Sequence, residues 1–157
     1  MGRLVLYMSM SLDGVIAGSG DTRDNPFGTK GHRLHEWLGY WGGDHHDGVP
    51  IFVPTHQAPA GAPPGDVRLV TGGIESCAGQ AKAAAGDRDV MLHGAGTARE
   101  CLRARVLDVL EIQLVPVLSG RGRRLFDGLG PGHIELQLVR AVESPGALHP
   151  RYEVQCA

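Results

Sequence analysis

Between Val67 and Val117 the chain alternates short runs of branched residues with longer runs of helix formers. No other feature restricts the fold as much. Val67–Val70 reads as a strand, and Gly73–Ala85 (GIESCAGQAKAAA) as a helix stopped by Gly86. Asp89–Leu92 follows as a strand, His93–Thr97 as a turn, and the segment through Arg103 as a second helix. Val109–Val117 (VLEIQLVPV) is again a strand, with polar residues at the alternate positions Glu111 and Gln113. Ile134–Val142 and Arg151–Gln155 are two further strands, joined through Glu143–Gly146 with no helix between them. Strand–helix–strand–helix–strand followed by strands alone predicts an α/β fold. Its sheet is mixed and mainly parallel, with antiparallel C-terminal strands and flanking helices.

Ahead of this region, Arg3–Ser9 (RLVLYMS) has the branched and aromatic content of a buried strand and runs into the polar turn Ser9–Gly14, followed by Val15–Gly18. Ser19–Gly31 is a polar loop containing Pro26, long enough that it should either be mobile or cover something. His32–Leu38 places Leu34, Trp37 and Leu38 at the spacing of a short amphipathic helix. Gly39–Gly48 is a loop, Val49–Pro54 a strand whose prolines suggest a sheet edge, and Gln57–Gly65 an extended loop.

Composition narrows the function classes. A length of 157 residues suits one domain, 1–157, and 15 basic against 17 acidic residues leave no concentrated basic surface for nucleic acid. Hydrophobic residues, at 42%, are too many for a disordered chain. No apolar run has the length of a membrane helix, and no signal-peptide pattern opens the chain. Cys77, Cys101 and Cys156 are scattered and odd in number, which fits a reducing cytoplasm better than a disulfide scaffold. Glycine, at 24 residues, is used about twice as often as in an average protein.

Val90–Leu102 (VMLHGAGTARECL) carries the clearest chemical signal. A strand ending in a glycine turn that opens a helix lets an anion approach backbone N–H groups at the positive end of the helix dipole. Thr97 suits either a helix cap or a hydroxyl donor to phosphate. The same pattern also suits a tight turn with no ligand, because one Gly-x-Gly is a weak signature. Asp13, in the SLDG turn after the first strand, belongs at the carboxyl end of the sheet, where open α/β sheets hold ligands; the alternative is an Asx turn that holds its own backbone. Asp44-His45-His46-Asp47 carries metal-ligand types, but adjacent residues rarely converge on one ion and no third partner is spaced to join them. Arg121, Arg123 and Arg124 suit a phosphate or a solvated basic turn, and Cys77 and Cys101 read as buried small hydrophobes.

SLDGVIAG, HEWL, VPIFVPTH, VTGGIES, HGAGTARECL, LVPVLSGRGRRLFDG and HPRYEV occur in that order. Together they resemble the dihydrofolate reductase-like superfamily, in the branch related to the C-terminal reductase domain of bifunctional riboflavin-biosynthesis enzymes. The resemblance covers nearly the whole chain and implies an NADPH-dependent reductase acting by hydride transfer on a small heterocycle or carbonyl compound. It implies that Gly94, Ala95, Gly96 and Thr97 face the cofactor diphosphate and that Thr55 and His56 lie near the adenosine 2′-phosphate. Ala17 would approach the nicotinamide, Asp13 would sit near the substrate as the catalytic residue, and Arg121 would lie at the rim of the cleft. It also implies a homodimer in the cytoplasm.

Three departures accompany the resemblance. Between Trp37 and Val49 the chain lacks a strand-plus-helix unit whose arginine and threonine contact the cofactor phosphates in relatives, so an inner strand of the sheet and one helix N-terminus are expected to be missing. His93 occupies the first slot of a turn that in relatives often holds a cis Gly–Gly bond. Leu34 stands where folate reducers place a proton-donating carboxylate, and Glu36 falls on another face, which argues against dihydrofolate as substrate. The alternative to an enzyme is a non-catalytic member that keeps the fold and binds a small molecule or dimerises.

Overall fold

The computed structural model describes residues 1–155 apart from 39–47, 59, 62 and 64. Its largest sheet has five strands in the order β5-β1-β6-β9-β8. These are β1 (Leu4–Ser11), β5 (Val90–Leu92), β6 (Val109–Val115), β8 (Leu136–Ser144) and β9 (Ala147–Val154). β1 runs parallel to both β5 and β6, whereas β9 is antiparallel to β6 and β8. The mixed sheet with antiparallel C-terminal strands is therefore present, and Pro145-Gly146 turn the β8–β9 hairpin.

Alternation along the strands explains where the core lies. Leu4 and Leu6 of β1 and Leu110 and Ile112 of β6 face α1 (Gly73–Ala85) and α2 (Ala95–Arg103), whose Ala78, Ala98, Cys101 and Leu102 complete one apolar cluster. The opposite face mixes buried Val5, Val109 and Val115 with the buried polar residues Ser9, Ser11 and Gln113. Trp37 donates its indole N–H to Ser9 Oγ at 3.0 Å, and its ring meets His149 edge-on at 4.9 Å. Asp108 ties helix to sheet, since its Oδ2 accepts from the Leu4 amide at 2.6 Å and from Lys82 Nζ at 2.5 Å.

β3 (Ile51–Pro54) and β4 (Val67–Val70) form a separate two-stranded parallel sheet. Among the described residues β5 pairs only with β1, and β3 only with β4. The expected loss of an inner strand thus appears as a break in the sheet, with α1 packed on β3, β4 and β5 and spanning it. β2 (Val15–Ala17) pairs antiparallel with β7 (Arg123–Arg124), a ribbon hidden in a stretch that reads as a basic loop. Gly31–Leu38 is a 3₁₀ helix, not an α-helix. Three residues per turn align Gly31, Leu34 and Trp37 and rotate Leu38 away, which is why Leu38 is exposed. β6 stops at Val115, two residues short of the expected end, whereas β1 runs on to Ser11, β8 to Ser144, and β9 begins at Ala147, four residues before Arg151.

Candidate functional site

A cavity of about 380 Å³ opens where β1, β2, the 3₁₀ helix and the start of α2 meet. That volume lies within the range of small-ligand sites. A second cavity, beside Leu107 and Ile134, holds only about 40 Å³, which is room for water but not for an organic ligand.

Met8 of β1 and Ile16 and Ala17 of β2 form the apolar floor. The 19–28 loop folds back on its own base beside it, through backbone contacts that only glycine allows. The Gly18 amide donates to Phe27 O at 2.8 Å and the Thr29 amide to Ser19 O at 2.9 Å. A Cβ on Gly18 would stand 1.9 Å from Thr29 O, and one on Gly28 would stand 2.2 Å from Gly18 O. The loop thus lines one side of the cavity with Asp21, Pro26 and Phe27. Phe27 packs against two rings of the 3₁₀ helix, at 4.6 Å from His32 and 4.9 Å from His35. His35 lines the cavity, and burial, reinforced by His32, holds its imidazole pKa below the ordinary value. Arg123 Nε donates to Asp21 Oδ2 at 2.6 Å, an ion pair that joins the loop to β7 at the cavity edge.

The opposite wall is the strand-to-helix turn. Gly94, the N-cap of α2, has φ 94° and ψ 133°, backbone angles that L side chains rarely adopt. No side chain caps the helix, so Thr97 is not its cap; the capping position falls three residues earlier than Thr97 would require. The first-turn amides of an α-helix have no acceptor within the helix. Gly94, Ala95 and Gly96 all line the cavity, and a Cβ built on Gly94 or Gly96 meets nothing within 4 Å. The space that side chains would fill is open beside this backbone, and that suits a diphosphate. Every peptide bond of the described residues is trans, the His93–Gly94 bond included.

Of the residues singled out from the sequence, Ala17, Gly94, Ala95 and Gly96 converge on this cavity. Asp13 does not line it. Its Oδ1 accepts from Ser11 Oγ at 2.6 Å and from the Ser119 amide at 2.9 Å, and its Oδ2 accepts from the Gly120 amide at 2.7 Å. These bonds, the Ser11 hydroxyl foremost, hold its carboxyl well below the usual carboxylate range. The arrangement is the turn-holding role weighed above, extended to a loop more than a hundred residues away. Arg124 adds a bond from Nη1 to Asp13 O at 2.7 Å.

Thr97 and Arg121 lie outside the cavity lining, as do Thr55 and His56 beyond the end of β3. Thr55 spends its hydroxyl on Gln57 O at 2.8 Å, and Arg121 is exposed. Asp44–Asp47 fall outside the described residues. Cys77 and Cys101 are buried, and burial pushes the Cys101 thiol up to about 11. Asp21, Phe27 and His35 were missed in the sequence. The length of the 19–31 loop was the one signal for Asp21 and Phe27, whereas His35 lies on the helix that follows it.

No protein-family model matches the chain, and no curated protein matches it by sequence. Solved structures do match it. A putative riboflavin biosynthesis protein from Shewanella sp. PV-4 superposes with TM-score 0.72 at 19% identity, over 99% of this chain and 100% of that one. The riboflavin biosynthesis reductase Rib7 of Saccharomyces cerevisiae gives 0.62 at 15% identity, over 99% of this chain and 89% of its own. A diaminohydroxyphosphoribosylaminopyrimidine deaminase/5-amino-6-(5-phosphoribosylamino)uracil reductase from Thermotoga maritima gives 0.62 at 16%, with 57% of its length covered. At these identities the likeness establishes the fold alone, which this chain shares with those riboflavin-biosynthesis structures.

Proposed function

We propose that this chain is an NADPH-dependent reductase of a small heterocycle or carbonyl compound. One observation carries the reading: the open glycine turn at the start of α2 and the ring-lined wall of Phe27 and His35 face one cavity. The α2 amides and dipole favour a diphosphate, and the apolar floor at Ala17 favours the flat nicotinamide ring beside it. The bound cofactor would supply the hydride. The chain's own residues would do the rest. Pro26 and Phe27 keep water from the reacting ring. The His35 imidazole, one donor and one acceptor when neutral, hydrogen-bonds the substrate heteroatom that gains a proton. Thr55, His56 and Arg121 would serve the adenosine 2′-phosphate, and Thr97 the diphosphate. Asp13 would act on the substrate only indirectly, by fixing the 117–121 loop against the SLDG turn. A cytoplasmic setting agrees with the two buried free thiols.

Titrating the protein with NADPH, followed by nucleotide fluorescence or calorimetry, tests this directly. Saturable binding is expected; no binding at millimolar cofactor would leave the fold standing and remove the reductase. The strand-plus-helix unit expected to be missing between Trp37 and Val49 favours the second reading, a non-catalytic small-molecule binder, because one phosphate-binding helix start would be lost with it. NADPH binding without oxidation by any carbonyl or imine acceptor would select that reading.

A further inference from the structure

Gly31–Leu38 is eight residues of 3₁₀ helix, about twice the length at which such a helix usually ends, because its hydrogen bonds are poorer than those of an α-helix. Its three rows of side chains show what sustains it. Gly31, Leu34 and Trp37 make the first row, and Gly31 and Leu34 are buried. His32 and His35 make the second and share the ring of Phe27, at 4.6 Å and 4.9 Å. Arg33 and Glu36 make the third and pair at 3.5 Å on the outside. Three residues per turn stack each row directly, whereas 3.6 per turn would splay it.

Both ends of the helix are clamped. At the start, a Cβ on Gly31 would stand 3.1 Å from the Gly18 amide nitrogen and 3.3 Å from Phe27 Cβ, so the backbone lies tight against both. At the other end Trp37 is half-buried, and an indole N–H withheld from water needs an acceptor. Ser9 Oγ supplies it at 3.0 Å, while the Trp37 ring meets His149 at 4.9 Å, so the side chain bridges β1 and β9 across β6. Both partners are themselves held. Ser9 is buried in the sheet, and His149 Nε2 lies 2.6 Å from Ser144 Oγ on β8.

We propose that Trp37 is a positioning residue: its bond to Ser9 holds the helix at three residues per turn and so keeps the His35 imidazole in the cavity wall. The role rests on the reading that His35 hydrogen-bonds the substrate. With Gly31 fixed and Trp37 released, relaxation to α-helical winding turns residue 35 back by about 80°, because each of four residues then advances about 100° instead of 120°. A rotation of that size takes the imidazole off Phe27 and out of the wall it lines. The charged groups of the cavity and of the helix are already paired, Asp21 with Arg123 and Glu36 with Arg33. Protonation of His35 therefore reports its burial and its approach to His32.

Nuclear magnetic resonance of the histidine rings, with His35 assigned through His35→Gln, tests this without any substrate. Trp37→Phe keeps a ring and loses the donor. In it the His35 pKa should rise toward the ordinary imidazole value, and the nuclear Overhauser contacts between His35 and Phe27 should disappear. Ser9→Ala removes the same bond from the sheet side with the indole in place and should give the same shift, so the test survives a Trp37 variant that fails to fold. Asp108→Ala loosens α1 against β1 without touching this helix and should leave both signals unchanged. A His35 pKa that stays put in the folded variants would overturn the inference, and so would an equal shift in Asp108→Ala. NADPH titration of the unmodified protein decides the reductase reading separately: if no nucleotide binds, the His35 signals still show whether Trp37 sets the wall.

Discussion

At Gly96 one residue separates a structural turn from a binding site. It lies inside α2, where glycine is about 1 kcal/mol worse than alanine, and a Cβ there meets nothing. Gly96→Leu should therefore leave the melting temperature unchanged or slightly raised and weaken NADPH at least tenfold. The opposite result, lost stability with retained affinity, would mark the turn as structural. pH separates two other residues. Asp13 is held below its ordinary pKa in the folded state, so it adds stability above about pH 4 that is lost as pH falls further. Melting curves of Asp13→Asn should run below those of the unmodified protein at pH 6, and the gap should narrow as pH falls below about 4. His35 is also shifted downward, through burial of the neutral ring, so protonation disfavours the fold. Acidification below about pH 6.5 should lower stability, and His35→Gln should flatten that slope. Asp13 shows the limit of local reading: its position after β1 was legible, but its partners Ser119 and Gly120 arrive from far along the chain.

The strands and helices of the middle region were plain from periodicity, because branched runs and alanine-rich runs differ in kind. The extent of α1, Gly73–Ala85, was legible to the residue since glycines bracket it. The 3₁₀ helix was not, because Leu34 and Trp37 satisfy both helical periods and Phe27 with the sheet decides between them. β7 was invisible: two arginines carry no strand signal until β2 pairs with them. Asp108 joins three elements, and Asp108→Ala would leave the Leu4 amide without its acceptor and Lys82 without its partner. A loss of about 1–3 kcal/mol in urea unfolding is expected, with α2 and the cavity otherwise intact.

For the whole molecule the break between β5 and β3 sets the hierarchy of stability. β1 is flanked on both sides and carries the core, whereas β3–β4 is a two-stranded unit held mainly through α1. Two paired strands are marginal by themselves. Native-state hydrogen exchange should accordingly show β3 and β4 opening at lower free energy than β1 and β6; equal protection would mean that the two sheets unfold as one. Hydrophobic period, glycine placement and motif order were enough to determine the α/β class, the order of elements and the anion-friendly turn before α2, because each is a property of neighbours in the chain. The cavity wall of Phe27 and His35 and the anchoring of Asp13 depend on contacts between residues far apart in sequence. Only packing in three dimensions could decide them.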